Sequence, residues 1–219
     1  MGLFQSSEEG SIPSTCSTDM IKTFCITLKT TPERKAKAAE HFAERGLIDV
    51  TFFEGIDNRA FGLKSTIKDM SPGQVGCILS HYMLWQTMTH MEGFTEAVVL
   101  EDDVRLHNDF ADEVRGIQKY APKDWEFIYL GHCFPTFDSG DEERYVKPVK
   151  APLCTHAYML KTSALPILLE TNHIASDHID LQLQYRTMHK LNFYVLNPPV
   201  ASQVSRTDWN DPVFKSLMF

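Results

Sequence analysis

The sequence lacks several features that would place it in a common class of protein. Its 219 residues contain no apolar run long enough for a membrane helix, and no secretory signal peptide is evident. Neither GxGxxG nor GxxxxGK(S/T) occurs, so a dinucleotide-binding fold and a P-loop have no support. Basic residues number 21 against 29 acidic ones, and the net charge of -8 argues against a nucleic-acid-binding surface. We therefore expect no nucleic-acid partner and no transmembrane segment.

Cysteine is scarce and carries no metal-binding or redox spacing. The five cysteines are odd in number and form no CxxC pair. They are Cys16, Cys25, Cys77, Cys133 and Cys154. Free thiols in a reducing compartment are the simplest interpretation, which predicts a cytoplasmic protein.

The first twenty residues differ in composition from the rest. They are Ser-rich and show no periodicity, which predicts a mobile N-terminal arm. Residues 1–6, MGLFQS, fit the loose pattern for N-myristoylation, and a chance match is the alternative. A lipid there would attach the protein weakly to the periphery of a membrane. Residues 21–219 are numerous enough for one core and predict a single domain.

The most informative stretch is residues 96–104, EAVVLEDDV. Residues 97–100 are apolar, with two β-branched valines, which favours a strand buried on both faces. Glu101, Asp102 and Asp103 follow without a break, and such a cluster is costly near an apolar strand end unless a cation neutralises it. Oxygen ligands suit Mg²⁺ or Mn²⁺, which can in turn hold a phosphate. The alternative is a strand that runs into a solvated acidic turn.

An earlier stretch reads as a β-α-β unit. Residues 22–28 and 49–53 are strand-like, and Thr31, Pro32 and Gly46 bracket a helix between them whose inward face would be Ala39, Phe42 and Ala43. Such a unit implies parallel strands in an α/β protein, with ligands beyond the carboxyl ends of the strands. The polar candidates there are Thr27, Lys29, Arg34, Glu54 and Asp57.

A second helix begins at Ser71-Pro72 and is apolar nearly all round, which marks it as buried. Ser80 and His81 are its polar exceptions and need partners inside the protein. A structural hydrogen bond and a role beside a substrate are both compatible with this pair.

Two late carboxylates form the last candidate group. Ser176 is a predicted cap of a helix over residues 177–190, which would place Asp177 and Asp180 on one face near its positive end. Acidic residues in a first helical turn are also favourable for the helix alone.

Several of these motifs resemble those of glycosyltransferase family 25, which includes bacterial lipooligosaccharide galactosyltransferases and the collagen galactosyltransferases. Residues 71–81, SPGQVGCILSH, with Trp85 beyond them, and residues 99–104, VLEDDV, carry the resemblance most specifically. Residues 52–57, FFEGID, match less well, since Gly and Asp are not in the usual order, and residues 27–29, TLK, stand where the family reads Asn-Leu-Asp. Asp177 looks like the late Asp of the family.

The resemblance implies a GT-A-type fold with a mainly parallel sheet flanked by helices, a UDP-sugar donor, and dependence on Mn²⁺ or Mg²⁺. A hexose such as galactose or glucose would pass, with inversion, to a hydroxyl of a glycan or protein. Asp103 would bind the metal with help from Glu101, and Asp177, or else Asp180, would be the base. The expected donor-binding residues are Thr27, Lys29, Arg34, Glu54, Asp57, Ser80, His81, Glu101 and Asp102.

Two alternatives remain open at this point. A catalytically inactive relative that binds a nucleotide sugar or a glycan would keep the fold but lose the metal or the base. A phosphatase with an aspartyl nucleophile would need DxDx(T/V), and here the first position is Glu101.

Overall fold

The computed structural model describes residues 21–62, 70–133, 146–148 and 153–203. The predicted arm, the lipidation pattern and Cys16 lie outside these residues. Within the described ranges, no helix is both long and apolar enough to span a bilayer.

A seven-stranded mixed sheet forms the centre of the fold. Its strands are β1 (Ile21–Thr27), β2 (Val50–Glu54), β3 (Glu96–Glu101), β5 (Phe127–Tyr129), β6 (Val146–Pro148), β7 (Ala157–Lys161) and β8 (Phe193–Leu196). Their order is β2-β1-β3-β7-β5-β8-β6, and only β6 and β7 run against the other five. A separate antiparallel pair joins β4 (Val104–Leu106) to β9 (Ala201–Gln203). The predicted parallel β-α-β unit at the start of the chain is confirmed.

Helices flank this sheet. They are α1 (Pro32–Glu44), α2 (Asn58–Phe61), α3 (Pro72–Met88), α4 (Phe110–Gly116), α5 (Leu165–Asn172) and α6 (Ile179–Gln182). The start of α3 is fixed by a capping box: the Ser71 hydroxyl accepts from the Gln74 amide, and the Gln74 side chain accepts from the Ser71 amide. The predicted start of this helix is therefore confirmed, and its sequence alone encodes it.

Two apolar cores lie on the two faces of the sheet, and β3 contributes to both. Ala97 and Val99 join the core that contains Trp85 of α3, while Val98 and Leu100 join the core that contains Phe42 of α1. Successive strand residues point to opposite faces, so residues 97–100 are each buried on one side or the other. If this alternation continues after Leu100, the side chain of Glu101 points to the face covered by α3, and that of Asp102 points to the face covered by α1.

Some local predictions were wrong. Helix α1 buries Ala38 and Phe42, whereas Ala39 and Ala43 are exposed, because the sheet meets the helix on the i, i+4 row that passes through Ala38. Helix α6 begins at Ile179 with His178 as its N-cap, so Asp177 precedes the helix. Ser176 does not cap it and instead hydrogen bonds to the side chain of Gln182.

The prediction that all cysteines are free thiols was also wrong. Cys133 and Cys154 form a disulfide, with 5.8 Å between their Cα atoms, while Cys25 and Cys77 are free. The pair is 21 residues apart in sequence, and a bridge between Cys133 and Leu153 brings the two segments together. Sequence spacing alone does not encode this contact.

Candidate active site

The carboxyl ends of three parallel strands place the predicted polar residues at one edge of the sheet. Thr27, the last residue of β1, aligns with Glu54 at the end of β2, and Ile26 aligns with Glu101 at the end of β3. Parallel strands end together, so the stretches that follow them converge there. The Thr27 hydroxyl is buried and has no hydrogen-bond partner, which leaves a polar atom available at this edge.

Glu101 is held by hydrogen bonds from α3 and from the segment that leads into β7. Its Oε1 lies 3.2 Å from His81 Nε2 and accepts a hydrogen bond of 3.1 Å from the Thr155 hydroxyl. His81 Nδ1 lies 2.9 Å from the Tyr158 hydroxyl, which in turn accepts from Trp85 Nε1 at 2.9 Å.

The chemistry of these groups fixes the direction of each hydrogen bond. The carboxylate of Glu101 only accepts, so His81 carries its proton on Nε2 and donates it there. In neutral His81, Nδ1 then accepts from Tyr158, whose oxygen is left to accept from Trp85. Burial would raise the pKa of Glu101, but the hydrogen bond and electrostatic attraction of His81 oppose it. With weaker contributions from His156 and from the Thr155 hydrogen bond, they lower that pKa. Glu101 is therefore an ionised carboxylate in a fixed position.

Asp102 and Asp103 have a different environment on the side of α1. Arg34 pairs with Asp102 and lies 3.5 Å from Asp103 Oδ2, which also accepts from the Gln203 side chain at 3.2 Å. Burial raises the pKa of Asp102 to about 7, with the neighbouring carboxylates adding to the rise and Arg34 opposing it. Burial and the charge of Glu101 raise the pKa of Asp103 to about 6. Arg34 thus neutralises this pair only in part.

These two aspartates retain capacity for a further ligand. Asp102 Oδ2 and Asp103 Oδ1 are buried and have no hydrogen-bond partner. A buried carboxylate oxygen without a partner is costly, and a hard divalent cation would remove that cost. The residues present therefore fit the metal that the sequence predicts. They line a pocket together with Arg34, Lys37, His41 and Arg105.

A second cluster of possible metal ligands lies near this edge, but its members already have hydrogen-bond partners or are protonated thiols. The ligand atoms of Cys77, His81 and Glu101 lie within 4.8 Å of one another. Both ring nitrogens of His81 already have partners, and burial raises the pKa of the Cys77 thiol well above its usual value. Asp102 and Asp103 are the better location for a hard cation.

The remaining predicted donor-binding residues divide into structural and exposed positions. The Ser80 hydroxyl donates to the Gly76 carbonyl at 2.7 Å and accepts from the Ile56 amide at 2.8 Å, which ties α3 to the loop after β2. Asp57 is held by Arg59 and by the Thr30 hydroxyl, and the Arg59 hydrogen bonds lower its pKa to about 2. Lys29 and Glu54 are exposed, so the structure assigns them no fixed contact at the site.

Gly76 explains part of the long motif on α3. A Cβ at this position would lie 2.5 Å from the Ile56 carbonyl oxygen, so only glycine lets the helix approach the loop this closely. That approach brings Ser80 within reach of Ile56. Sequence reasoning named Ser80 but missed the backbone contact that positions it.

Asp180 and Asp177 have different surroundings. Asp180 Oδ2 accepts from the Cys154 amide at 3.2 Å, next to Thr155, which contacts Glu101. The Asp177 carboxylate accepts from the amide of His178, its own neighbour. Of the two candidate bases, the structure brings Asp180 to the segment that holds the acidic motif.

Three residues of this site escaped the sequence analysis. Thr155 and Gln203 contact the acidic motif from positions far along the chain. Tyr129, at the end of β5, has a buried hydroxyl without a hydrogen-bond partner, and burial followed by the nearby Asp180 charge raises its pKa. Tyr129 was a plain strand residue in the sequence and gave no separate signal.

Comparison with known proteins identifies similar chains. Residues 20–181 match the model of Glycosyltransferase family 25 (LPS biosynthesis protein). A glycosyltransferase 25 family member of Aedes aegypti is 34% identical over 126 residues, which cover 49% of this chain and 20% of that protein. Procollagen galactosyltransferase 2 of Homo sapiens is 30% identical over 127 residues, with coverage of 49% and 20%.

A third relative is named as a probable inactive member of the family. Probable inactive glycosyltransferase 25 family member 3 of Rattus norvegicus is 29% identical over 127 residues, which cover 49% of this chain and 22% of that protein. The matched part of the chain thus spans about a fifth of the length of these relatives.

The fold also has solved counterparts. A glycosyltransferase involved in the glycosylation of the major capsid of PBCV-1 superposes with a TM-score of 0.56 at 9% identity, over 89% of this chain and 98% of that chain. Likeness at this identity concerns the fold alone, and the predicted GT-A-type α/β architecture is confirmed.

Proposed function

The chain belongs to glycosyltransferase family 25, and from this premise we propose that it is a metal-dependent, inverting glycosyltransferase. The donor would be a UDP-sugar that carries galactose or glucose, and the acceptor a hydroxyl of a glycan or protein. The observation that supports the proposal best is the pair of unpartnered, buried carboxylate oxygens on Asp102 and Asp103, at the sheet edge where nucleotide ligands bind in such folds.

The proposed metal site uses the two parts of the acidic motif differently. Asp103 would ligate Mn²⁺ or Mg²⁺ directly, and Glu101 would assist from its fixed position. When bound, the cation would act as a Lewis acid on the leaving nucleoside diphosphate. Arg34 would then be released from part of its pairing with Asp102 and would face the phosphates, which fits its expected donor-binding role.

The acceptor hydroxyl needs a base on the face opposite the leaving group, because inversion is a single displacement. We place Asp180 ahead of Asp177 in this role, since Asp180 contacts the segment that also holds Glu101. Its Oδ1 and Oδ2 accept from backbone amides, which fix the side chain while leaving lone pairs for an incoming hydroxyl.

The main alternative is a relative that binds a nucleotide sugar or a glycan without transferring it. The observation that supports this alternative is the similarity to the rat protein named probable inactive glycosyltransferase 25 family member 3. The two proposals differ in one measurable respect: only the enzyme turns the donor over.

The experiment is a screen of UDP-sugars for donor hydrolysis and transfer with and without Mn²⁺, alongside calorimetric binding of UDP. Metal-dependent turnover supports the enzyme, and binding of UDP without turnover of any donor supports the inactive relative.

The two candidate bases can be separated in the same assay. Asp180→Asn should slow transfer at least ~10²-fold with UDP binding retained, because general-base catalysis contributes about 10²–10⁴-fold. Asp177→Asn is the matched control and should have a small effect. A large loss in Asp177→Asn alone would return the assignment to Asp177, and no loss in either variant would place the base elsewhere.

A further inference from the structure

Cys133, Cys154 and His156 form a further cluster of metal-ligating side chains, none of which belongs to the acidic motif. Cys133 and Cys154 are joined as a disulfide beside the short bridge between Cys133 and Leu153. One sulfur from each cysteine and one ring nitrogen of His156 all lie within 4.8 Å of one another.

His156 is the feature that a structural disulfide does not explain. Its side chain is 1% exposed, yet neither ring nitrogen has a hydrogen-bond partner. The carbonyl of Ala201 lies near the ring without meeting hydrogen-bond geometry, and burial lowers the pKa of the imidazole. Buried polar groups in folded proteins are nearly always satisfied, so a buried imidazole without a well-formed hydrogen bond points to a ligand.

The backbone around His156 is built closely against its ring. A Cβ on Gly131 would lie 2.3 Å from His156 Nε2, so the ring occupies the space that any other residue at this position would fill. Packing of this kind limits rotation of the imidazole and holds it next to the two sulfurs. A preorganised ligand of this type strengthens metal binding because little ordering remains to be done.

We propose that Cys133, Cys154 and His156 form a redox-gated binding site for a thiophilic divalent cation such as Zn²⁺. Two thiolates and one imidazole are the ligand set that Zn²⁺ accepts when it leaves its fourth position to water. Hard cations such as Mn²⁺ and Mg²⁺ prefer the oxygen ligands of Asp102 and Asp103, so the two sites select different ions.

The oxidation state of the two cysteines controls whether the cation can bind. A dithiol reductant supplies two electrons and two protons: the Cys133–Cys154 bond breaks, each sulfur becomes a thiol, and the reductant closes to its own disulfide. Binding of the cation then displaces the two thiol protons to solvent as both sulfurs become thiolates. In the oxidised protein the sulfurs are joined and the site is closed.

The site is linked to the proposed active site through one short segment. The Cys154 amide donates to Asp180, the Thr155 hydroxyl donates to Glu101, and the His156 carbonyl accepts from the Glu101 amide at 3.0 Å. Opening of the disulfide or binding of a cation therefore acts on residues that flank two candidate catalytic carboxylates. This consequence rests on the proposed function, whereas the binding of the cation does not.

The test is a titration of the full chain with Co²⁺, a spectroscopic substitute for Zn²⁺, before and after reduction with a phosphine and its removal. We expect one equivalent to bind the reduced protein with a thiolate-to-cobalt charge-transfer band that Zn²⁺ abolishes, and no such band in the oxidised protein. Equal spectra in the two states, or a band that Mn²⁺ removes as readily as Zn²⁺, would overturn the proposal.

Substitutions of single residues test which side chains bind the ion. Cys133→Ser, Cys154→Ser and His156→Gln should each weaken Zn²⁺ binding at least ~10²-fold, since loss of an outer-shell partner alone costs about 10–100-fold. Cys77→Ala is the matched control in the other cluster and should bind as the parent does. Loss of binding in Cys77→Ala alone would place the ion at that cluster and refute the proposal.

A measurement on the parent protein covers the case in which a variant fails to fold. Zn²⁺ should protect Cys133 and Cys154 from alkylation in the reduced protein, as read by mass spectrometry of peptides, and should leave the reactivity of Cys16 unchanged. If Zn²⁺ protects neither Cys133 nor Cys154, the proposal is wrong.

Discussion

Glu101 on one side of the acidic strand end and Asp102 with Asp103 on the other are adjacent in sequence yet differ in their electrostatics. Hydrogen bonds from His81 and Thr155 lower the pKa of Glu101. Burial, only partly opposed by Arg34, raises the pKa of Asp102 to about 7 and that of Asp103 to about 6. The difference arises because the two sides face different helices.

This comparison separates two roles within one motif. On the side of α3, the hydrogen bonds run from Trp85 through Tyr158 and His81 to Glu101, and these groups satisfy one another. On the side of α1, one oxygen of each aspartate lacks a partner. A satisfied network is rigid, whereas an unsatisfied pair gains stability from a cation. We infer that the hydrogen-bond network holds the Glu101 side chain in place, and that Asp103 is the residue whose charge is stabilised by the metal.

The largest expected effect comes from Asp103→Asn, which removes the proposed ligand while keeping its shape. Metal-dependent donor turnover should fall at least ~10²-fold, by analogy with the loss of one electrostatic contact in a transition state. The measurement is initial rate against Mn²⁺ concentration, with Asp112→Asn as a control because Asp112 is an exposed aspartate in the first turn of α4. Activity that survives both this substitution and a chelator would refute the metal role.

The next prediction concerns the hydrogen-bond network on the side of α3. Tyr158→Phe removes the hydroxyl that joins Trp85 to His81 and leaves two buried nitrogens without that partner. The free energy of unfolding should fall by about 2–6 kcal/mol, since each of the two unsatisfied buried groups costs about 1–3 kcal/mol. Denaturant unfolding measures this loss. An unchanged midpoint would mean that the network does not hold Glu101, and the distinction between the two sides would lose its structural basis.

The pH dependence of stability tests the environment of Asp102 and Asp103 on the side of α1. The folded-state pKa values of Asp102 and Asp103 lie above the ordinary aspartate value, so folding favours their protonated forms. This contribution is fully present below the unfolded pKa and is lost as the pH rises through about 6 to 7. With a chelator present, the titration of these two groups should lower the free energy of unfolding by about 4 kcal/mol between about pH 5 and pH 8.

Comparison with Asp102→Asn isolates this effect from the titration of histidines, several of which have lowered pKa values. Thermal melting of both proteins across the pH range is the measurement. The variant should lose less stability than the parent as the pH rises, and Mn²⁺ should reduce the loss in the parent. Parallel curves for parent and variant would contradict the raised pKa of Asp102.

The smallest expected effect is that of Thr155→Val, which removes one of the two side-chain hydrogen bonds to Glu101. Glu101 keeps its contact with His81 and some access to water, so the stability loss should be about 1 kcal/mol. The pKa of Glu101 should rise, because Thr155 stabilises its ionised form, and carboxyl chemical shifts followed by NMR would report the change. A pKa that stays constant would mean that His81 and His156 lower it without Thr155.

The sequence by itself determined the local features and the family. The apolar run before Glu101 encodes a buried strand, Ser71 and Gln74 encode the start of α3, and Thr31, Pro32 and Gly46 bracket α1. Each of these depends on neighbours within a few residues, which is why the pattern alone was sufficient. The two long motifs identified the family because their spacing is also local.

Only the tertiary structure decided how the charged groups are paired. Thr155 and Tyr158 reach Glu101 and His81 from more than fifty residues away, and Gln203 reaches Asp103 across a hundred. The contact of Asp180 with Cys154 and the joining of Cys133 to Cys154 are likewise long-range. Hydrogen bonds and pKa shifts depend on distances of a few ångströms between side chains, and those distances exist only once the sheet has brought remote segments together.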